Sequence, residues 1–366
     1  MNFNRFSLLV IVIILGIFIF RAPVNGEEPS VGKITKIVGQ VTIIRDDVKE
    51  IMGKKGLSLL PGDQLITGEG GAVSFSLNHG GDFRLGEDAQ MSVDELSGAE
   101  VEDGYPVLRL VLGYLWCKVQ KIRQKVGMLK VHTPTLVMGI RGTEFDTVVS
   151  LDATSVIAVD EGSVGVESGD ESIVLDKGTM THVELDTKLS PPLPATPREK
   201  RNWQAWRKKR VTLLFQRLPQ MAPRLRNTFE VVVNRLTRFT KRVENESDKL
   251  RATMERVRQA KRSGDRKKFI QSARRLKRQV HRFKNMAFGF RRGLNRVLVL
   301  GKFSYRIERF TARNNKRFSD QELATIESNL AIISQKRVEL KSISRKIILT
   351  IRQTFRELRK LKREIK

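Results

Sequence analysis

The chain contains 366 residues, of which 68 are Lys or Arg and 40 are Asp or Glu, and its formal net charge is +28. Residues 27–189 hold 16 basic and 26 acidic residues, whereas residues 190–366 hold 50 basic and 14 acidic residues. A single domain seldom separates charge in this way, so we expect an acidic module followed by a basic one that attracts polyanions. The only cysteine, Cys117, excludes an internal disulfide.

The N-terminus predicts export. An apolar run at residues 7–20 follows one basic residue, Arg5, and ends at Arg21. This layout, with a cleavage site after Gly26, is typical of a secretory signal peptide. The run is short for a membrane-spanning helix, which needs about 20 apolar residues, but an uncleaved N-terminal anchor is the alternative. Residues 1–26 therefore predict a location in the periplasm or cell envelope, with an inner-membrane anchor left open.

The acidic half is predicted to be rich in short β-strands. Apolar and polar residues alternate at, for example, 73–77 and 181–185, and turns containing Gly, Asp and Pro separate such segments. No useful helical period lies between them. Many short strands with frequent turns favour a sandwich, a barrel or a β-solenoid.

No catalytic, cofactor or metal site is predicted. The four histidines, His79, His132, His182 and His281, lack the spacing of metal ligands. The chain has neither a Gly-x-Ser-x-Gly motif nor a phosphate-binding Gly-Lys-Ser/Thr loop. Cys117 lies in a strand-like run and is predicted to be a buried core residue. These observations predict a protein that is not an enzyme.

Several short motifs follow one another in a characteristic order. They are Leu60-Pro-Gly-Asp63 with Ile66-Thr-Gly68, then Val131-His-Thr-Pro134 leading into Gly139-Ile-Arg-Gly-Thr-Glu-Phe145, and finally Val159-Asp-Glu-Gly-Ser-Val164 with Val174-Leu-Asp-Lys-Gly178. Over residues 31–186 this set resembles the FecR-type periplasmic domain. The matching positions are Gly62, Asp63, Thr67, Gly68, Thr133, Pro134, Gly139, Arg141, Gly142, Thr143, Phe145, Glu161, Gly162 and Gly178.

The resemblance implies an extracytoplasmic β domain that binds or senses a partner. Founding members of the family are inner-membrane regulators of iron uptake that relay a signal from an outer-membrane receptor to a sigma factor. The resemblance here covers the β domain and not the family's cytoplasmic anti-sigma domain. We expect the matching residues to be structural. Arg141 in particular is expected to be buried, donating to turn carbonyls or to Glu144 or Asp146 rather than to a ligand.

A proline-rich segment separates the halves. Residues 190–197 contain four prolines and predict a stiff linker over 187–197. Beyond it, apolar residues recur three and four apart, which predicts a basic all-α bundle or coiled coil over 198–366. The predicted helices are 198–218, ended by Pro219 and Pro223; 225–262; one from about 266; and one from 319, where Ser319 and Glu322 form a capping box. An antiparallel bundle is expected, with a homo-oligomer through 319–366 as the second choice.

Basic clusters recur on every predicted helix. Because like charges at helical spacing repel one another, we expect an anionic partner, which we take to be an anionic lipid or an envelope polymer. The residues expected to contact the polyanion are Arg207, Lys208, Lys209, Arg210, Arg266, Lys267, Lys268, Arg274, Arg275 and Arg278.

The favoured function is an exported, non-enzymatic envelope protein. Its β domain would bind or sense an unidentified protein partner, while its basic helices dock on anionic envelope components or oligomerise. The alternative is a membrane-anchored signalling regulator of the FecR type. Nucleic-acid binding ranks third, because the export signal argues against it and three tyrosines are few for base stacking.

Overall fold

The computed structural model describes residues 30–45, 49–78, 80–96, 105–120 and 128–365. The apolar run predicted to be a signal peptide or anchor lies outside these residues. Within them, no helix is both long enough and apolar enough to cross a membrane.

The first part of the chain is an all-β domain. Its strands are β1 Gly32–Val38, β2 Val41–Arg45, β3 Lys49–Met52, β4 Ser58–Leu59, β5 Gln64–Thr67, β6 Ala72–Leu77, β7 Asp82–Leu85, β8 Gln90–Leu96, β9 Tyr105–Lys118, β10 Leu129–His132, β11 Val137–Ile140, β12 Glu144–Val149, β13 Ser155–Glu161, β14 Ser163–Ser168, β15 Glu171–Asp176, β16 Thr179–Val183 and β17 Leu193–Pro194.

Two sheets share the long strand β9. One has the order β4-β1-β6-β7-β9-β12-β13-β16-β17, and the other β3-β2-β5-β8-β9-β10-β11-β14-β15. β9 passes from one sheet to the other at Gly113, whose φ is +103° and where a Cβ would lie 2.2 Å from the Cβ of Ala89. Only glycine fits this bend.

Side chains from both sheets meet in one core. β6 has the predicted alternation, with Val73, Phe75 and Leu77 buried, and the ring of Phe75 stacks on that of Phe83 at 5.1 Å between centroids. Ile43 of the other sheet belongs to the same cluster. The predicted all-β domain is thus confirmed, and its form is a two-sheet sandwich.

The proline-rich segment lies along the edge of the first sheet. Leu193 and Pro194 pair with β16, and the amide of Ala195 donates to the Gly178 carbonyl at 2.8 Å. Proline is tolerated there because an edge strand leaves one row of amides unpaired. The segment therefore delivers the chain to the next part from a fixed point on the β domain.

Three long helices follow, as predicted for a basic all-α part. They are α1 Trp203–Arg262, α2 Arg266–Arg313 and α3 Asp320–Ile365, with short 3-10 turns at Arg198–Lys200 and Asn315–Arg317. The predicted capping box is present at the start of α3, where the Ser319 amide donates to Glu322 Oε2 at 2.9 Å. Gly264, with φ +69°, ends the first hairpin turn.

The predicted break at Pro219 and Pro223 is wrong, because α1 continues through both prolines. A proline inside a helix costs about 3 kcal/mol. Leu214, Leu218 and Leu225 are fully buried on the same face, and burying one leucine side chain contributes about 1.5–3 kcal/mol. Burying all three leucines on one continuous face contributes about 4.5–9 kcal/mol, which offsets the cost of the two prolines, about 6 kcal/mol.

α1 and α3 run parallel, at a nearly constant offset in sequence. Ion pairs join Glu230 to Lys336 at 2.7 Å, Arg251 to Glu357 at 3.1 Å and Arg258 to Glu364 at 2.8 Å. The latter two pairs lie one heptad apart. The apolar stripe of α3 is thus buried inside this chain's own three-helix bundle, and an oligomer through 319–366 stays a prediction.

Candidate functional site

β12 carries alternating side chains to the two faces of its sheet. Phe145 is fully buried in the sandwich core, so its neighbours Glu144 and Asp146 lie on the opposite, outer face. This face is covered by the segment that leads from the proline-rich edge strand into α1. The carboxylates of Glu144, in the Gly139–Phe145 motif, and of Asp146, which follows it, therefore meet the helical part of the chain.

Asp146 is the centre of this contact and is 1% exposed. Its carboxylate accepts hydrogen bonds from the Tyr114 hydroxyl at 2.6 Å, from Arg201 Nη1 at 2.9 Å and from Trp203 Nε1 at 3.3 Å. Burial and the negative charge of Asp146 raise the pKa of Tyr114 well above its ordinary value, so Tyr114 stays a donor. Three donors thus satisfy one buried carboxylate.

The Arg201 guanidinium joins two strands to the start of the helical part. Its side chain is 4% exposed, and Nη2 donates to Asp160 of β13 at 2.7 Å. Burial alone would lower the pKa of Arg201, but the hydrogen bonds to Asp160 and Asp146 outweigh burial and raise it. A buried ion pair of this kind costs several kcal/mol if one partner is removed, because the other charge is left unpaired.

Arg210, two turns along α1, makes a second contact of the same type. It donates to Asp152 at 2.6 Å, to Glu184 at 2.8 Å and to Thr154 at 2.5 Å. Its hydrogen bonds to the two carboxylates raise its pKa despite the opposing effect of burial. The chain is therefore fixed on the β domain at Arg201, just before α1, and again at Arg210 within α1.

Two further arginines complete what we call the arginine interface, defined as Arg198, Arg201, Arg207 and Arg210 with their partners in the β domain. Arg198 pairs with Glu144 and lies over the Trp116 ring at 4.8 Å from its centroid. Arg207 donates to the backbone carbonyls of Glu87 and Asp88, at 2.9 Å each.

An apolar contact and a contact from α2 support the arginine interface. Val111, Ala153 and Leu185 of the β domain belong to the same buried cluster as the core of the bundle. On β9, Arg109 donates to Asn295 Oδ1 of α2 at 2.6 Å and to Asp94 at 2.7 Å. The acidic half and the basic half of the chain thus bind each other across this surface.

The structure corrects the expectation for Arg141. It was expected to be buried in a turn and to donate to Glu144 or Asp146, but it is exposed. Those two carboxylates instead receive Arg198 and Arg201, which lie more than 50 residues further along the chain. The residues next to Glu144 and Asp146 in the sequence could not reveal that their partners are Arg198 and Arg201. The one signal that pointed to such a contact was the excess of carboxylates in the first half and of cations just after the linker.

The other motif residues occupy structural positions. Asp63 accepts from Arg45 at 2.7 Å and 2.8 Å and from the Leu60 amide at 2.8 Å, and Thr67 and Thr133 bond neighbouring backbone groups. Gly162 has φ +77°, and a Cβ there would lie 2.5 Å from the Gly142 carbonyl. The remaining positions lie in turns or strands of the sandwich: Gly62, Gly68, Pro134, Gly139, Gly142, Thr143, Phe145, Glu161 and Gly178.

The residues expected to contact a polyanion fall into two groups. Arg207 and Arg210 lie in the arginine interface, whereas Lys208 and Lys209 beside them are exposed. The others are exposed around the turn between α1 and α2, at the far end of the bundle: Arg266, Lys267, Lys268, Arg274, Arg275 and Arg278. Contact of these residues with a polyanion stays a prediction.

The described residues offer little for catalysis or metal binding. They contain no group of three or more His, Cys, Asp or Glu side chains that could hold a metal ion. Cys117 is fully buried, and burial together with Asp146 raises the pKa of its thiol. A buried thiol that stays protonated is a poor nucleophile.

Comparison with known proteins bears on the β domain. The model of the family described as FecR protein matches residues 63–165. The chain carries a FecR domain. The match spans both sheets of the sandwich and includes Glu144 and Asp146, so the carboxylates that hold Arg198 and Arg201 belong to the FecR domain itself.

Similar solved structures include two crystal structures of a protein assigned as an anti-sigma factor from Parabacteroides distasonis. Both are 15% identical, with TM-scores of 0.33 and 0.31. The matches cover 39% and 36% of this chain, and 63% and 59% of the other chains. None of the curated proteins compared matches this chain significantly.

Replacing Asp146 by Asn should destabilise the protein strongly. The substitution leaves Arg201 buried with one carboxylate fewer, and breaking a buried ion pair costs about 3–5 kcal/mol. The matched control is Arg235→Gln, because the Arg235–Asp170 pair is 3.9 Å long with side chains 57% and 92% exposed and should contribute less than about 1 kcal/mol. Urea unfolding of both variants tests this, and equal losses would contradict it.

His132 should make folding stability depend on pH. Burial, with Arg109, Lys130, Arg292 and Arg296 nearby, lowers the pKa of His132 from 6.5 to about 3. Between these values the unfolded chain binds a proton that the folded chain does not, so stability falls as pH drops below 6.5, by up to about 1.4 kcal/mol per pH unit.

Urea unfolding between pH 7 and pH 4 measures this dependence, with His132→Leu and the exposed His281→Leu as a matched pair. We expect His132→Leu to flatten the curve by about one proton and His281→Leu to leave it unchanged. A wild-type slope in His132→Leu would contradict the assignment.

Proposed function

We propose that the protein is a non-enzymatic regulator of the FecR type, in which the FecR domain senses a partner and the helical bundle carries the response. The observation that supports this is the position of Glu144 and Asp146. They lie on β12, where the Gly139–Phe145 motif ends, and they hold Arg198 and Arg201 at the start of the helical part. A change in β12 on binding would act directly on α1.

The arginine interface suits a switch between two arrangements. The Arg201–Asp146 pair at its centre is buried, so intermediate geometries leave these charges unpaired and are unfavourable. A partner that binds one arrangement of the FecR domain better than the other shifts the equilibrium by the difference in its two affinities. The interface thereby couples binding on the sandwich to the docking of α1.

The proposed location is the cell envelope, with residues 1–26 acting as a signal peptide or an anchor. This part of the proposal rests on the apolar run at 7–20 and on the FecR domain. In this location the FecR domain would meet a partner outside the cytoplasm.

Gene expression tests the regulatory role. We expect that deletion of the gene and the substitution Arg201→Gln alter the same set of transcripts in the native host, because both uncouple the FecR domain from α1. Arg235→Gln, which removes an exposed arginine of the bundle, serves as control and should leave those transcripts unchanged. Immunoblots establish equal protein levels, and no transcript change in either altered strain would contradict the proposal.

A second proposed function is docking on an anionic membrane surface through the distal tip, defined as residues 256–282 with 352–365. Phe269 and Leu276 of α2 pack there against Leu361 of α3. The exposed cations Arg274, Arg275 and Arg278 lie on this tip. Along α1 the tip is about 70–80 Å from Arg210, at 1.5 Å per residue, so the tip and the arginine interface can act separately.

Vesicle binding tests this second function. The triple variant Arg274→Gln, Arg275→Gln, Arg278→Gln should bind phosphatidylglycerol vesicles about a hundredfold more weakly, at about 1 kcal/mol per basic residue. The matched control removes three exposed arginines nearer the FecR domain, Arg224→Gln, Arg238→Gln and Arg242→Gln. Equal weakening in both variants would mean that charge alone, and not the tip, determines binding.

A further inference from the structure

A cavity of about 460 Å³ lies where three elements meet. One side is the turn after β7, with Glu87 and Asp88; the other sides are the first turns of α1 and the last turns of α2. Cavities of 300–1,000 Å³ are typical of small-molecule sites. The cavity borders the arginine interface described above and shares Arg207 and its partners Glu87 and Asp88 with it.

Cationic side chains dominate the wall of the cavity. Arg306, Arg309 and Arg313 line it from α2, and Arg207 and Lys208 line it from α1. The spacing of three and four residues between the arginines of α2 places them on one helical face. Glu87 and Asp88 are the two carboxylates among the lining residues, so the cavity has an excess of positive charge.

Among the described residues, Arg207 and Arg306 make no direct ion pair, although Asp88 lies near both. Arg306 Nε is buried and has no hydrogen-bond partner among the described residues. Arg207 donates to the backbone carbonyls of Glu87 and Asp88 and not to their carboxylates. Burial lowers the pKa of both arginines, and the neighbouring Arg309 lowers that of Arg306 further, while Asp88 opposes the shift in each. Holding these partly buried cations without a directly bonded anion is unfavourable.

The rest of the lining is mainly apolar, with Gln204 and Asn314 as its polar members. Leu112 and Leu151 of the β domain and Phe310 of α2 line it together with Val211 of α1. A ligand that fits this lining combines an anionic end with an apolar or aromatic body. Guanidinium groups match phosphate oxygens with paired hydrogen bonds, which favours a phosphate over a single carboxylate.

We propose that this cavity binds a small organic phosphate. The phosphate lies against Arg306 and Arg313, and the apolar body covers Leu112 and Phe310. The site does not depend on the regulatory function proposed above. Because its walls come from the FecR domain and from two helices, a bound ligand bridges them and stabilises the docked arrangement by mass action.

ADP is the probe, and inorganic pyrophosphate is the matching probe without an aromatic body. Calorimetry and thermal unfolding of the full chain at physiological salt should show binding of both, with ADP tighter. Arg306→Gln with Arg313→Gln should weaken ADP binding at least about tenfold, because each removes a charge-assisted hydrogen bond. Arg274→Gln with Arg282→Gln removes two exposed arginines from the same helix outside the cavity and should change little.

A substitution that removes a carboxylate gives a second, opposite test. Asp88→Asn should tighten ADP binding a few-fold, because it removes a negative charge from the wall; asparagine tolerates the φ of +45° at this position. Absence of ADP binding at millimolar concentration, or equal weakening by the two arginine pairs, would overturn the proposal. If the variant Arg306→Gln with Arg313→Gln lost binding to phosphatidylglycerol vesicles but kept its ADP binding, these arginines would form a lipid-docking surface instead. That result would equally overturn the proposal.

Discussion

The arrangement of the whole molecule depends on the buried contact between Arg201 and the carboxylates of Asp146 and Asp160. Buried charges are tolerated only when they are paired and hydrogen-bonded, and here each partner comes from a different part of the chain. Separating the FecR domain from the helical part would leave the buried Asp146 carboxylate without its cation. The two parts therefore form one unit, although their opposite charges suggest two independent modules.

Apolar and charged contacts have different roles in this unit. Val111, Ala153 and Leu185 extend the bundle core onto the β domain and supply non-directional adhesion. The arginines determine which part of α1 lies on which strand, since a guanidinium needs its acceptors at defined positions. Most cations of the helical half lie beyond this contact, so internal pairing accounts for only part of the basic charge.

Individual strands and helix ends could be predicted from the sequence, because they depend on residues that are close together along the chain. The alternation at Val73–Leu77 specified β6, and Ser319 with Glu322 specified the start of α3. The continuation of α1 through Pro219 could not be predicted, since it depends on burial against other helices. The same applies to the partner of Asp146. Local motifs suggested Arg141, whereas the partner is Arg201, 55 residues away, brought there by the docked edge strand.

Hydrogen exchange across the arginine interface tests the central claim most directly. If α1 is fixed on the FecR domain by buried ion pairs, the amides of residues 205–214 should exchange as slowly as those of β12 in the full chain. They should lose protection selectively in Asp146→Asn while the distal part of α1 keeps its own. Rapid exchange of residues 205–214 in the wild-type chain, or protection unaffected by the substitution, would contradict the account.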